Sequence, residues 1–78
     1  MITFDLELTD TFAGETNYSW VRRATITAPD GLSDLALVRR AKRALDISVV
    51  RCNTQNYGEM IQLDVVGACV RGFITARY

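Results

Sequence analysis

The chain of 78 residues contains no histidine, one proline, one tryptophan and only two cysteines. The absence of histidine excludes Ser-His and Cys-His catalytic pairs and histidine-ligated metal sites. Cys52 and Cys69 are too few to complete a zinc site without other ligands. The five glycines are scattered along the chain and form no phosphate-binding loop. The sequence therefore predicts a protein that is not an enzyme and that uses no cofactor or metal.

Long apolar segments are also absent. No apolar run approaches the ~20 residues that a membrane-spanning helix needs. The opening residues, MITFDLELTD, lack the basic and apolar regions of a secretory signal. We therefore expect a cytoplasmic protein without membrane contact. In that compartment, Cys52 and Cys69 are expected to be free thiols in the core, with a disulfide between neighbouring strands as the alternative.

The composition predicts one small globular domain. Hydrophobic residues make up 49% of the chain and charged residues 23%, which is typical of folded proteins. The net charge is zero, but the charges are unevenly placed. Residues 1–19 carry only acidic groups, whereas basic residues are in excess over residues 20–51. The pattern indicates either an acidic and a basic face, or charges that neutralise one another across a sheet.

The N-terminal third predicts two antiparallel strands. Apolar residues occupy every second position of ITFDLELT, residues 2–9, as in a strand with one face on the core. The polar segment 10–17 predicts a turn or an extended hairpin loop. Residues 18–27 have strand character again. Regular alternation puts Tyr18 and Trp20 on the helix-facing side, so Trp20 is predicted to be the largest contributor to the core.

An amphipathic helix of about 13 residues is predicted after the turn at Pro29–Gly31. Ser33 is a favourable N-cap, and Asp34 suits the positive end of the helix dipole. One arc of the helix is apolar. The opposite arc is basic and consists of Arg39, Arg40, Lys42 and Arg43. The helix is expected to end at Asp46, where glycine would be the easier cap.

The remaining chain predicts strands over residues 47–55, 60–65 and 68–76. A tight turn at 56–58 joins the first two of them. If Gly67 only bulges one long strand, the sheet has four strands instead of five. The predicted fold is α+β: an antiparallel sheet of four to five strands, ordered β-β-α-β-β-(β), with one amphipathic helix packed on one face.

The candidate partner surface comes from the basic and aromatic residues. The basic arc of the helix suits phosphate contacts, although a solvated helix face is the favoured explanation. Within NYSWVRR, residues 17–23, Arg22 shares the helix-facing parity. Arg23 is expected to face outward near Asp5 and Glu7. Tyr57, at a hairpin tip, is either a contact residue or packs back over the sheet edge. The complete candidate set is Arg22, Arg23, Arg39, Arg40, Lys42, Arg43 and Tyr57.

Three segments carry a resemblance to a known group of proteins: FAGETNYSWVRR at residues 12–23, ALVRRAK at 36–42 and VRCNTQNYGEMI at 50–61. In these segments the chain resembles small uncharacterised accessory proteins of bacteriophages and prophages that share an NYSWVRR-type motif. The resemblance supplies no catalytic residues. It implies a viral or prophage accessory role in the cytoplasm of a bacterial host cell.

Two hypotheses follow for the function. The first is a phage-encoded protein that binds a host or phage protein, for example as an inhibitor of a host defence system such as an anti-CRISPR protein. The second is an accessory module that binds nucleic acid through the basic helix face. A homodimer formed through an exposed strand edge is compatible with both.

Overall fold

The computed structural model describes residues 1–77 and confirms the predicted α+β fold. Five strands form one antiparallel sheet in the order β2-β1-β5-β4-β3, and a single helix covers one face of it. The elements are β1 (Ile2–Phe12), β2 (Glu15–Ala28), α1 (Asp34–Ala44), β3 (Cys52–Asn56), β4 (Met60–Val65) and β5 (Val70–Arg77). We call the sheet face away from α1 the open face.

The alternating pattern of β1 produces the predicted two-sided strand. Leu6 and Leu8 are 2% and 3% exposed and point toward α1, whereas Glu7 between them lies on the open face. β1 lies inside the sheet, paired with β2 on one side and with β5 on the other. Leu6 is therefore directly opposite Ile74 of β5, and both side chains belong to the core.

The helix begins where the sequence predicts. The Ser33 hydroxyl accepts a hydrogen bond from the Ala36 amide at 3.2 Å, which satisfies one of the free N–H groups of the first turn. Asp34 lies in that turn and also accepts a hydrogen bond from the Asn56 side chain of β3 at 2.7 Å. The contact joins the start of α1 to β3, the edge strand at the other side of the sheet from β2.

The helix ends at Ala44, with Leu45 as its C-cap, and has 11 residues rather than about 13. Asp46 then adopts a left-handed conformation with φ of 61°. The next amide, that of Ile47, donates to the Lys42 carbonyl at 2.8 Å, and the Asp46 amide donates to the Arg43 carbonyl at 3.1 Å. These two bonds form a Schellman motif, in which aspartate occupies the position that glycine favours.

The core lies between α1 and the covered face of the sheet. It is small, because a domain of this size buries only about 60% of the surface that its unfolded chain exposes. Its buried hydrophobic members are Leu6, Leu8, Ala28, Leu37, Val38, Ala41, Leu45, Ile61, Leu63 and Ile74.

Two predicted boundaries are wrong. The hairpin between β1 and β2 is a two-residue turn, Ala13–Gly14, and not a loop over residues 10–17, because the polar residues on both sides pair as strands. The third strand begins at Cys52 and not at residue 47. After the left-handed Asp46, the segment 47–50 forms a turn in which the Val50 amide donates to the Ile47 carbonyl at 3.1 Å. Beta-branched residues there satisfy strand propensity but have no neighbouring strand to pair with.

Candidate functional site

β2 forms one edge of the sheet and exposes three large apolar side chains. Tyr18 is 52% exposed, Trp20 42% and Val21 38%. We call these three residues the β2-edge surface. The prediction that Trp20 lies in the core is therefore wrong. The signal for an edge strand is the adjacent pair Arg22–Arg23, which puts a charged side chain on both faces of one strand.

A bulge of four residues shapes the β2-edge surface. The flanking pairs are Thr9 with Val21 and Thr11 with Thr16. Between them, residues 17–20 of β2 stand opposite Asp10 alone. Tyr18, inside the bulge, has a φ of 57°, which is rare for a bulky residue. The bulge changes the direction of the Tyr18 side chain, and the regular alternation assumed from the sequence fails at this point.

Asp10 holds the bulge through its carboxylate. It accepts hydrogen bonds from the Ser19 amide at 2.9 Å, the Ser19 hydroxyl at 2.6 Å and the Asn17 side-chain amide at 2.9 Å. These bonds, that of the Ser19 hydroxyl first, hold the pKa of Asp10 well below its usual value. Beside it, the hydroxyl of the fully buried Thr9 donates to the Trp20 carbonyl at 2.7 Å. The bulge is therefore an ordered part of the strand pair.

Tyr18 lines a cavity on the open face of the sheet. The cavity has a volume of about 590 Å³ and extends from β2 to the start of β4. Its apolar side chains include Tyr18, Met60 and Phe73. Phe73 belongs to β5, the middle strand of the sheet, so the cavity lies over the centre of the open face.

Ion pairs surround this cavity. Arg23 donates to the Glu7 carboxylate at 3.2 Å, which confirms that Arg23 faces outward beside the acidic residues of β1. Arg77 binds the Asp5 carboxylate through two nitrogens, which raises the pKa of Arg77. The Glu7 carboxylate also raises the pKa of Tyr18, first by hydrogen bonding to its hydroxyl. The lining charges balance, so the cavity presents a neutral mixture of charged and apolar groups rather than a phosphate site.

Arg22 has a structural role at the end of the helix. Its Nη1 donates to the Leu45 carbonyl at 2.9 Å, which satisfies one of the free carbonyls at the C-terminus of α1. Arg22 therefore lies on the helix side of the sheet, and its neighbour Arg23 lies on the open face. The structure separates these two arginines instead of joining them into one surface.

The basic residues of α1 form a separate surface. Arg39, Arg40 and Arg43 are exposed, and Lys42 is half-buried. Over residues 1–77, none of the four takes part in an ion pair. The helix thus carries a basic arc whose charges are not neutralised within the described part of the chain.

Tyr57 lies at the tip of the β3–β4 hairpin and is 53% exposed. Its amide donates to the Met60 carbonyl at 2.8 Å, and the Gly58 amide donates to the Asn56 side chain at 2.6 Å. This hairpin is separated from β2 by β1 and β5. Tyr57 and the β2-edge surface are therefore at opposite sides of the sheet.

Both cysteines are free thiols. Cys52 packs against the core, and burial raises the pKa of its thiol. Cys69 is exposed, so its predicted place in the core is wrong. Cys69 precedes β5 in a turn at the surface, where the strand pattern does not continue.

Residues 1–77 hold no group of three or more aspartate, glutamate, cysteine or histidine side chains placed to bind a metal ion. No helix in this range is long and apolar enough to cross a membrane.

Sequence reasoning missed the exposed residues of β2 and the cavity residues Met60 and Phe73. Trp20 and Val21 are exposed because β2 is an edge strand, and Tyr18 is exposed in the bulge that Asp10 holds. Comparisons with protein-family models, with curated proteins and with solved structures find no match, so the site is defined by the residues of this chain alone.

Proposed function

We propose that this chain is a non-enzymatic accessory protein that binds another protein through the β2-edge surface. The observation that supports the proposal is the exposure of the single tryptophan of the chain, Trp20, on an edge strand that also exposes Tyr18. Tryptophan and tyrosine dominate the binding energy of protein interfaces. This small domain has few large side chains for its core, and yet one of them, Trp20, lies on the surface.

The shape of β2 favours addition of a partner strand. β2 has 14 residues, and its pairing with β1 is regular from Val21 to Ala28. The outer edge of this segment carries backbone groups that can pair with an extended segment of a partner. The bulge at residues 17–20 interrupts the edge and limits uncontrolled pairing. Trp20 and Val21 stand where the regular segment begins.

The cellular setting of the proposal follows the resemblance to phage and prophage proteins. It supports a role in the cytoplasm of a bacterial host, with a host or phage protein as partner. The most specific form of this role is inhibition of a host defence system, as by anti-CRISPR proteins. The neutral net charge suits a protein partner better than a nucleic acid.

The test is affinity capture from bacterial lysate with nuclease treatment, followed by mass spectrometry. We expect one dominant protein that is retained after nuclease, is lost with Trp20→Ala and with Thr25→Pro, and is retained with Leu35→Ala. Leu35 is the matched control, because it is 63% exposed but lies on α1. Capture that is equal in all four proteins would contradict the β2-edge surface as the binding site. Sedimentation of the purified protein tests whether a second copy occupies the edge instead.

Nucleic-acid binding by α1 is the second candidate. The observation that favours it is the basic arc, in which Arg39, Arg40 and Arg43 are exposed and make no ion pair within residues 1–77. Such side chains can neutralise phosphates and release counterions, so the affinity would fall steeply with salt.

The test for this candidate is fluorescence anisotropy with labelled single- and double-stranded DNA at several salt concentrations. If α1 binds phosphates, the triple charge reversal of Arg39, Arg40 and Arg43 to glutamate abolishes binding. Trp20→Ala is the control and retains it. Affinity that is independent of salt, or unchanged by the charge reversal, would exclude the basic arc as a nucleic-acid site.

A further inference from the structure

The β1–β2 hairpin holds three surplus residues in β2. From Ile2↔Ala28 to Thr9↔Val21 the pairing follows one register, and from Thr11↔Thr16 onward it follows another. The difference is absorbed by the bulge at residues 17–20. The turn next to the bulge consists of only two residues, so the three surplus residues have a second position available in that turn.

If the first register continued to the end of β1, Thr11 would pair with Ser19 and Phe12 with Tyr18. The turn would then grow to five residues, 13–17, a length that is common for hairpins. In this register Phe12 and Tyr18 would lie on the same face of the sheet. Regular alternation would also put Tyr18 on the same face as Trp20. It is the arrangement that the alternation of residues 18–27 predicts.

The observed register includes two strained residues that the second register does not require. Tyr18 has a φ of 57° in the bulge, and Ala13 has a φ of 53° in the two-residue turn. Both values are unfavourable for side chains other than glycine, asparagine and aspartate. Phe12 is also 74% exposed in the observed register. These features lower the free-energy difference between the two registers.

Two sets of contacts stabilise the observed register. The first is the Asp10 carboxylate with its three hydrogen bonds to Asn17 and Ser19. The second is Arg71 of β5, whose Nη1 donates to the Thr16 hydroxyl at 3.0 Å and whose Nη2 donates to the Gly14 carbonyl at 3.2 Å. Arg71 is in turn held by Asp64 at 2.7 Å. Both sets act on the hairpin tip, and both would be lost in the second register.

We propose that the hairpin is a two-register device, in which the surplus residues exchange between the bulge and the turn. In the observed register Tyr18 lines the cavity on the open face. In the second register the bulge disappears, Tyr18 leaves the cavity, and the outer edge of β2 becomes regular as far as Tyr18. The exchange itself is inferred from the strand pairing of the hairpin and does not depend on the proposed function. Its effect on partner binding rests on the proposed function of the β2-edge surface.

The first measurement is saturation-transfer NMR on the amides of residues 10–20, with cross-strand NOEs to assign each register. Wild type should show Thr11–Thr16 contacts for the major state and a minor state for the bulge residues. Asp10→Ala should raise the minor population about tenfold or more, because three charge-assisted hydrogen bonds are lost. Ala13→Asn should lower it about two- to fivefold, because asparagine tolerates the left-handed turn position.

A deletion provides the reference for the second register. Removing residues 15–17 leaves Ala13–Gly14 as the turn and brings Phe12 opposite Tyr18. The chemical shifts of residues 18–20 in this variant should match those of the wild-type minor state. If the deletion variant does not fold, the Thr11–Ser19 NOEs of Asp10→Ala identify the register.

The proposal is overturned if Asp10→Ala retains the Thr11–Thr16 contacts without a minor state. It is also overturned if the hairpin tip becomes disordered while the remaining sheet stays paired. Capture of a partner by wild type and by the deletion variant is measured separately. Absence of any partner would count against the proposed function and leave the NMR result unaffected.

Discussion

Replacing Trp20 by alanine distinguishes a surface residue from a core residue. A packed tryptophan buries about 150–250 Å². Because Trp20 is 42% exposed, the covered part is roughly 100 Å², which at about 25 cal/mol per Å² corresponds to about 2.5 kcal/mol as an upper bound. Residual compactness of the unfolded chain reduces this value by about 10–40%. We therefore expect Trp20→Ala to lower the free energy of unfolding by about 1.5–2.3 kcal/mol.

The domain should remain folded after this loss. Typical stabilities of 0.05–0.15 kcal/mol per residue give about 4–12 kcal/mol for a chain of this length. Leu45→Ala is the comparison for a core residue, because Leu45 is 0% exposed. Its truncation leaves a cavity and should lower the free energy of unfolding by about 2–5 kcal/mol in total.

Urea denaturation followed by far-ultraviolet circular dichroism measures both variants without relying on tryptophan fluorescence. The reasoning is refuted if Trp20→Ala is unfolded, or if it loses more stability than Leu45→Ala. Trp20 would then be a core residue, and the β2-edge surface would lose its main anchor.

Three further predictions concern stability. Asp46→Gly should raise the free energy of unfolding by about 0.5–1 kcal/mol, and the melting temperature by several degrees, because glycine adopts the left-handed conformation at no steric cost; a lower melting temperature would contradict the Schellman assignment. Arg22→Met should lower the free energy of unfolding by about 1 kcal/mol, because the hydrogen bond to the helix C-terminus is lost. Arg23 belongs to an exposed ion pair, so Arg23→Met should lower it by less than about 0.5 kcal/mol in the same thermal melts. Acid should destabilise the protein: the pKa values of Asp10 and Asp64 lie below their usual range in the folded state, so their contribution is present above about pH 4 and is lost as the pH falls through the folded values. Melting temperatures measured between about pH 2 and 6 check this, and a profile that rises toward low pH would exclude it.

The sequence predicts those parts of the fold that local chemistry determines. The alternation of residues 2–9 identifies β1, and Ser33 identifies the start of α1, because a period of two and an N-cap are properties of short segments. The order β-β-α-β-β-β follows from the same kind of evidence. The position of β2 at the edge depends on which strands pair across the whole chain, and its one local signal is the adjacent pair Arg22–Arg23.

The bulge and the exposure of Trp20 are the features that sequence reasoning misses. A surplus of three residues changes the face of Tyr18, but it leaves no mark on local alternation. Tyr18 also adopts a conformation for which glycine or asparagine is the usual signal. The Asp10 bonds that stabilise this conformation reach seven to nine residues along the chain and become visible only in the folded hairpin.

The strand order has a consequence for how the chain folds during synthesis. β1 and β5, the strands farthest apart along the sequence, are neighbours at the centre of the sheet, and Thr3 is directly opposite Arg77. The β1–β2 hairpin can form early, but Leu6 and Leu8 lack their β5 neighbours until residues 70–77 have left the ribosome. Such non-local pairing slows folding and exposes apolar strands in the meantime. A nascent chain held before residue 70 should therefore depend on chaperones, and release of β5 should complete the domain in a single cooperative step.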